Sequence, residues 1–127
     1  MLKKLDSLLF YVSNVNKTAE FYKELGFEQR TTKKGMAVLN LSEFSLHFRD
    51  KNEENKLEFR AEATAEPKGV GLYIYIEVGD IDNYYKGLLD KGLKPSSKPR
   101  DWPWGNREFV IRDPDSYKLV FYQPIKN

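Results

Sequence analysis

The chain has 127 residues, with 21 Lys plus Arg against 19 Asp plus Glu, and a net charge of +2 lacks the clustered basic surface of a nucleic-acid binder. It has no cysteine, which removes disulfides, thiolate metal sites and cysteine nucleophiles, and its one histidine, His47, leaves no histidine pair to hold a metal. No apolar run approaches the roughly 18 residues of a membrane span, and the start Met1-Leu2-Lys3-Lys4-Leu5-Asp6 has no signal-peptide stretch, so a single cytoplasmic domain with no membrane partner is expected.

The first strand candidate, Leu8 to Val12, runs into Asn14, whose side chain can accept the free amides of a helix's first turn. Val15, Ala19 and Tyr22 then recur at helical spacing, joined by Phe21 and Leu25, and Gly26 offers a left-handed stop. Met36 to Leu41 and Phe44 to Arg49 read as a hairpin. The charged stretch Asp50 to Lys68 reads as a solvated linker, with a strand expected around Leu57 to Ala61.

Then the pattern returns. Ile74 to Val78 repeats the first strand at an offset of 66, and the same offset sets Asp80 on Asn14, Ile81 on Val15 and Gly92 on Gly26. Ile81, Tyr84, Tyr85, Leu88 and Leu89 make one apolar stripe. A longer loop, Pro95 to Gly105, precedes a second hairpin, Glu108 to Arg112 and Tyr117 to Tyr122, turning through Asp113-Pro114-Asp115-Ser116. The expected organisation is βαβββ twice: module one at 4–49, a linker at 50–69 and module two at 70–123, within one domain spanning 1–127.

Parity sorts the strand faces. Leu8, Phe10 and Val12, Leu46 and Phe48, Ile74, Ile76 and Val78, and Leu119 and Phe121 belong under the helices. The opposite faces carry Ser7, Leu9, Tyr11, Ser45, His47, Arg49, Tyr73, Tyr75, Glu77, Lys118, Val120 and Tyr122. Such a face is either a ligand surface with aromatic walls or the wet side of a half-buried sheet.

The stretches Glu20-Phe21-Tyr22-Lys23-Glu24-Leu25-Gly26-Phe27 and Ile76-Glu77-Val78-Gly79-Asp80-Ile81-Asp82 carry a resemblance, and Pro103-Trp104-Gly105-Asn106-Arg107-Glu108-Phe109 followed by Asp113-Pro114-Asp115 is its most specific part. The chain resembles the vicinal oxygen chelate superfamily of glyoxalases, bleomycin-resistance proteins and extradiol dioxygenases, and looks most like the metal-free bleomycin-resistance branch. The resemblance implies an α+β fold of two βαβββ modules forming a curved mixed-sheet cup, and a homodimer with ligand grooves. One departure is visible: that family usually has Gly then Asn after Asp-Pro-Asp, where this chain has Ser116-Tyr117.

The superfamily's enzymes hold a divalent metal on four inward side chains, and those positions look like Ser7, His47, Tyr73 and Val120. Only His47 is a plausible ligand, so no metal and no cofactor are expected. The resemblance then implies non-catalytic capture of a small aromatic or amphipathic molecule. Trp102, Trp104, Tyr73, Tyr75, Tyr11 and Tyr122 are candidate walls, with Glu77, His47 and Arg49 as polar anchors. Glu108 is expected to pair with Arg107 or Arg112. Two alternatives stay open: a metal-dependent glyoxalase-type lyase or isomerase or a dioxygenase, and a dimeric interaction module with no small ligand.

Overall fold

A computed structural model describes residues 1–126. The chain divides into two compact units, Met1–Glu66 and the remainder from Pro67.

The first unit contains β1 (Ser7–Val12), α1 (Val15–Leu25), β2 (Glu28–Lys33), β3 (Met36–Leu41) and β4 (Phe44–Asp50), followed by a 3₁₀ turn at Lys51–Glu53 and α2 (Leu57–Thr64). Its sheet has the order β1-β4-β3-β2. β1 pairs parallel with β4 and the other pairs are antiparallel. Local chemistry sets α1's ends. Asn14 Oδ1 accepts the Lys17 amide at 3.1 Å, and Gly26 takes φ 118°, where a Cβ would be strained. Gly26 and Phe27 donate back to the Lys23 and Tyr22 carbonyls, closing the helix end.

α1 lays Val15, Ala19, Tyr22 and Leu25 against the aliphatic face of this sheet. Phe10, Val12, Leu39, Leu46 and Phe48 meet them there, all buried. The Tyr22 and Phe48 rings lie 4.6 Å apart and Phe10 stacks on Phe48 at 5.4 Å. Burying each such side chain contributes about 1.5–3 kcal/mol before the entropy of ordering it is subtracted.

The second unit contains β5 (Tyr73–Glu77), α3 (Ile81–Asp90), β6 (Arg100–Asp101), β7 (Asn106–Arg112) and β8 (Lys118–Pro124), in the sheet order β5-β8-β7-β6. β5 and β8 are again parallel. Asp80 Oδ1 accepts the Asn83 amide at 3.3 Å. Gln123 adds a second support there, since its side chain donates to the Gly79 carbonyl at 2.6 Å and accepts from the Ile81 amide at 3.1 Å. Ile76, Ile81, Leu88, Phe109, Ile111, Leu119 and Phe121 form the core. Tyr84 tilts onto Phe121 at 4.9 Å, and burial pushes its hydroxyl pKa well up.

The fold class is therefore α+β, with two four-stranded mixed sheets, each carrying a helix on its aliphatic face. Two sequence expectations change. The stretch from Leu57 to Ala61 is helical, because Leu, Glu, Arg and Ala favour a helix and no strand edge takes up its backbone. Leu89 is exposed: at about 100° per residue it lies roughly 80° from Ile81, on the flank of the stripe. Ser116 takes the left-handed position usually filled by glycine, at φ 72°. The turn holds because Asp113 Oδ1 accepts the Asp115 and Tyr117 amides at 2.9 and 3.0 Å. Among the described residues no helix is long and apolar enough to cross a membrane.

Candidate functional site

The second unit's open sheet face is set by register. Tyr73, Lys118 and Arg112 form one row across β5, β8 and β7; Tyr75, Val120 and Val110 form the next; Glu77, Tyr122 and Glu108 form the third. The loop before β7 adds Trp102 and Trp104. A cavity of about 310 Å³ lies between loop and sheet, lined among others by Tyr73, Tyr75, Trp102, Trp104, Glu108 and Lys118.

Trp102 and Trp104 stack at 4.7 Å between centroids and 13° between planes. The Arg100 guanidinium carbon sits 3.6 Å from the Trp102 centroid. A guanidinium and an indole cannot share one face at these distances, so they cover opposite faces of Trp102. Trp102 is thus a spacer, and Trp104, 59% exposed, presents the free indole face. Tyr75 meets Tyr122 edge-on at 6.1 Å, and the Tyr122 hydroxyl donates to Glu77 Oε1 at 3.5 Å, the long limit of such a bond. The structure therefore gathers Trp102, Trp104, Tyr73, Tyr75, Glu77 and Tyr122 on the face of one unit.

Glu108 corrects the sequence expectation. It is buried, and its Oε2 accepts from Trp104 Nε1 at 2.9 Å and Asn106 Nδ2 at 3.3 Å. Arg107 is its neighbour in the strand and points to the other face, where it pairs with Asp82 and Asp101 at 3.0 and 3.1 Å. Arg112 shares Glu108's face but lies four residues along, about 13 Å away, and donates to the Ser116 carbonyl at 2.9 Å. The buried carboxylate is thereby the post that fixes the Trp104 ring.

The first unit treats its open face differently. Tyr11 stands opposite Arg49, and Leu9 opposite His47, on β1 and β4. Glu54, just after the 3₁₀ turn, is buried, and its Oε1 accepts from the Tyr11 hydroxyl at 2.8 Å and Arg49 Nε at 3.2 Å. Its Oε2 accepts from the Lys56 amide at 3.1 Å. The Tyr11 hydrogen bond foremost, and the Lys56 amide next, hold this carboxyl below the ordinary glutamate range. Burial, with the adjacent carboxylate, pushes the Tyr11 hydroxyl up. Tyr11 and Arg49 are therefore tethered to the segment after β4. Sequence reasoning missed Glu54, which it placed in a solvated linker; its one visible signal was an acidic residue a few positions beyond a strand ending in Arg49. His47 is half-buried beside them.

The metal-ligand positions do not fit a metal. Val120 is buried hydrocarbon with no donor atom. The Tyr73 ring already carries the Lys118 ammonium, with Nζ 3.7 Å from its centroid, and that cation opposes a second one there. In the first unit Ser7 and His47 would supply one hydroxyl and one imidazole. Among the described residues no three His, Asp or Glu side chains converge as a ligand cluster.

Residues 4–121 match the model of the Glyoxalase/Bleomycin resistance protein/Dioxygenase superfamily. Bleomycin resistance proteins of Geobacillus stearothermophilus and Staphylococcus aureus are each 29% identical over 126 residues, covering 91% of this chain and 93% of theirs. Among solved structures, a glyoxalase/bleomycin resistance protein/dioxygenase family enzyme from Burkholderia phytofirmans is similar in fold. Its TM-score is 0.80 at 13% identity, over 94% of this chain and 98% of that one.

Proposed function

The chain belongs to the glyoxalase/bleomycin resistance protein/dioxygenase superfamily, and from that premise we propose that it captures a small aromatic or amphipathic molecule and holds it unaltered. The observation that carries this reading is the fixed Trp104 indole, tied to buried Glu108 and lining one cavity with Tyr73, Tyr75 and Val120. A pre-set ring pays little ordering entropy when a planar ligand stacks on it. The likeness to bleomycin resistance proteins supports sequestration as the purpose, and the poor donor set at Tyr73 and Val120 favours binding over metal-assisted turnover. The same reading takes the working form to be a cytoplasmic homodimer without a cofactor.

The test uses 2-naphthamide, a neutral planar probe, followed by saturation-transfer NMR. A probe of this size should bind with a Kd on the order of 1 mM. Saturable transfer to wild type, at least about fivefold weaker binding to Trp104→Ala, and recovery of intact probe support the reading. No saturable binding, or conversion of the probe, contradicts it.

A further inference from the structure

Resting on that binding reading, we propose that the molecule held here carries an anionic group, an aromatic carboxylate or sulfonate, received by Lys118 while its ring lies on Trp104. The charged side chains lining the cavity are Arg100, Lys118 and Glu108, two cations against one carboxylate. The carboxylate is already engaged: it is buried, and one oxygen takes both the Trp104 and the Asn106 donors.

The two cations are held differently. Lys118 Nζ lies over the Tyr73 ring and the Arg100 guanidinium over Trp102. Neither forms an ion pair among the described residues, whereas Arg49, Lys51 and Arg107 elsewhere in the chain are paired with carboxylates. Arg100 shows the distinction best. It stands opposite Glu108 in the β6–β7 register, yet its guanidinium lies on the indole. A ring face positions a cation without neutralising it, and a guanidinium flat on an indole keeps its N–H donors in its own plane. Ser97 adds a hydroxyl at the cavity, whose oxygen already accepts from the Val110 amide and whose proton remains to be donated. An aromatic plane with Lys118 in the same lining, and one cation in excess over carboxylate there, suits a flat anion and disfavours the cationic ligand that a negatively charged groove would take.

Three near-isosteric probes test this on the full chain: 2-naphthoate, 2-naphthamide and 2-naphthylmethylammonium, titrated by NMR at low salt. The expected order is naphthoate tightest, by at least about tenfold over naphthamide, with the ammonium weakest. That ratio should shrink as salt rises toward about 0.15 M in wild type, a readout needing no variant. It should fall to near one in Lys118→Met and survive in Lys118→Arg. A ratio at or below one, or a preference for the ammonium, with binding still dependent on Trp104, overturns the anion assignment and leaves aromatic capture standing. If none of the three binds, both readings fall.

Discussion

In the first unit Tyr11 and Arg49 face each other across β1 and β4, and a glutamate from outside the sheet joins them; in the second, Glu77 and Tyr122 occupy the equivalent places and the glutamate is in the strand itself. The offsets are 66 between the first strands and 73 between the last. One module has thus been finished in two ways. Glu54 draws Tyr11 and Arg49 of that face into a network with the segment after β4. In the second unit the buried carboxylate, Glu108, instead steadies a tryptophan that stays open on its other side. Chemistry follows from which groups are left with unused capacity, and here that is the second unit's face.

The comparison breaks most forcefully at the aromatic cores. Phe48→Ala and Phe121→Ala should each cost about 3–5 kcal/mol, because both rings are fully buried against a stacked phenylalanine. Urea denaturation measures the loss, and hydrogen exchange should show the first loss of protection in the unit that carries the change. A smaller effect sharpens the contrast between the helices. Asn14→Ala should cost about 1 kcal/mol, and Asp80→Ala less, because Gln123 also holds the start of α3. Equal losses would show that the Gln123 contact contributes nothing.

The smallest global effect concerns Glu54. A carboxyl whose folded pKa is lowered stabilises fully above its unfolded value, about 4.3, and loses that contribution as pH falls through the lower folded value. Acidification below about pH 4.5 should therefore speed exchange at Lys51–Thr64 in wild type. Glu54→Gln should raise that exchange at neutral pH and flatten its acid dependence. A pH profile identical to wild type would remove the tether.

Much of this architecture was legible because it is local. Asn14, Asp80 and Gly26 are cap positions that act within one turn, and strand parity sorted Phe10 from Tyr11 and Leu119 from Val120 without knowledge of partners. Glu54 was hidden because its value comes from Tyr11, 43 residues away, through the parallel pairing of β1 with β4. Trp102 and Trp104 were recognisable as loop aromatics. Their stacking on each other, and the Arg100 cover on the far face, depend on the turn that brings Gly105 back to Trp102. The Glu108 pairing was misread because sequence adjacency to Arg107 suggested contact, while alternation sends neighbouring side chains to opposite faces.

With only two tryptophans in the chain, the indole N–H region of a ¹H–¹⁵N spectrum reports the central claim directly. On titration with 2-naphthamide, the Trp104 Nε1–H resonance should shift saturably, together with the backbone amides of Tyr75 and Val120. An unmoved Trp104 resonance at probe concentrations that saturate other amides, or at the solubility limit with no shift anywhere, would contradict the account.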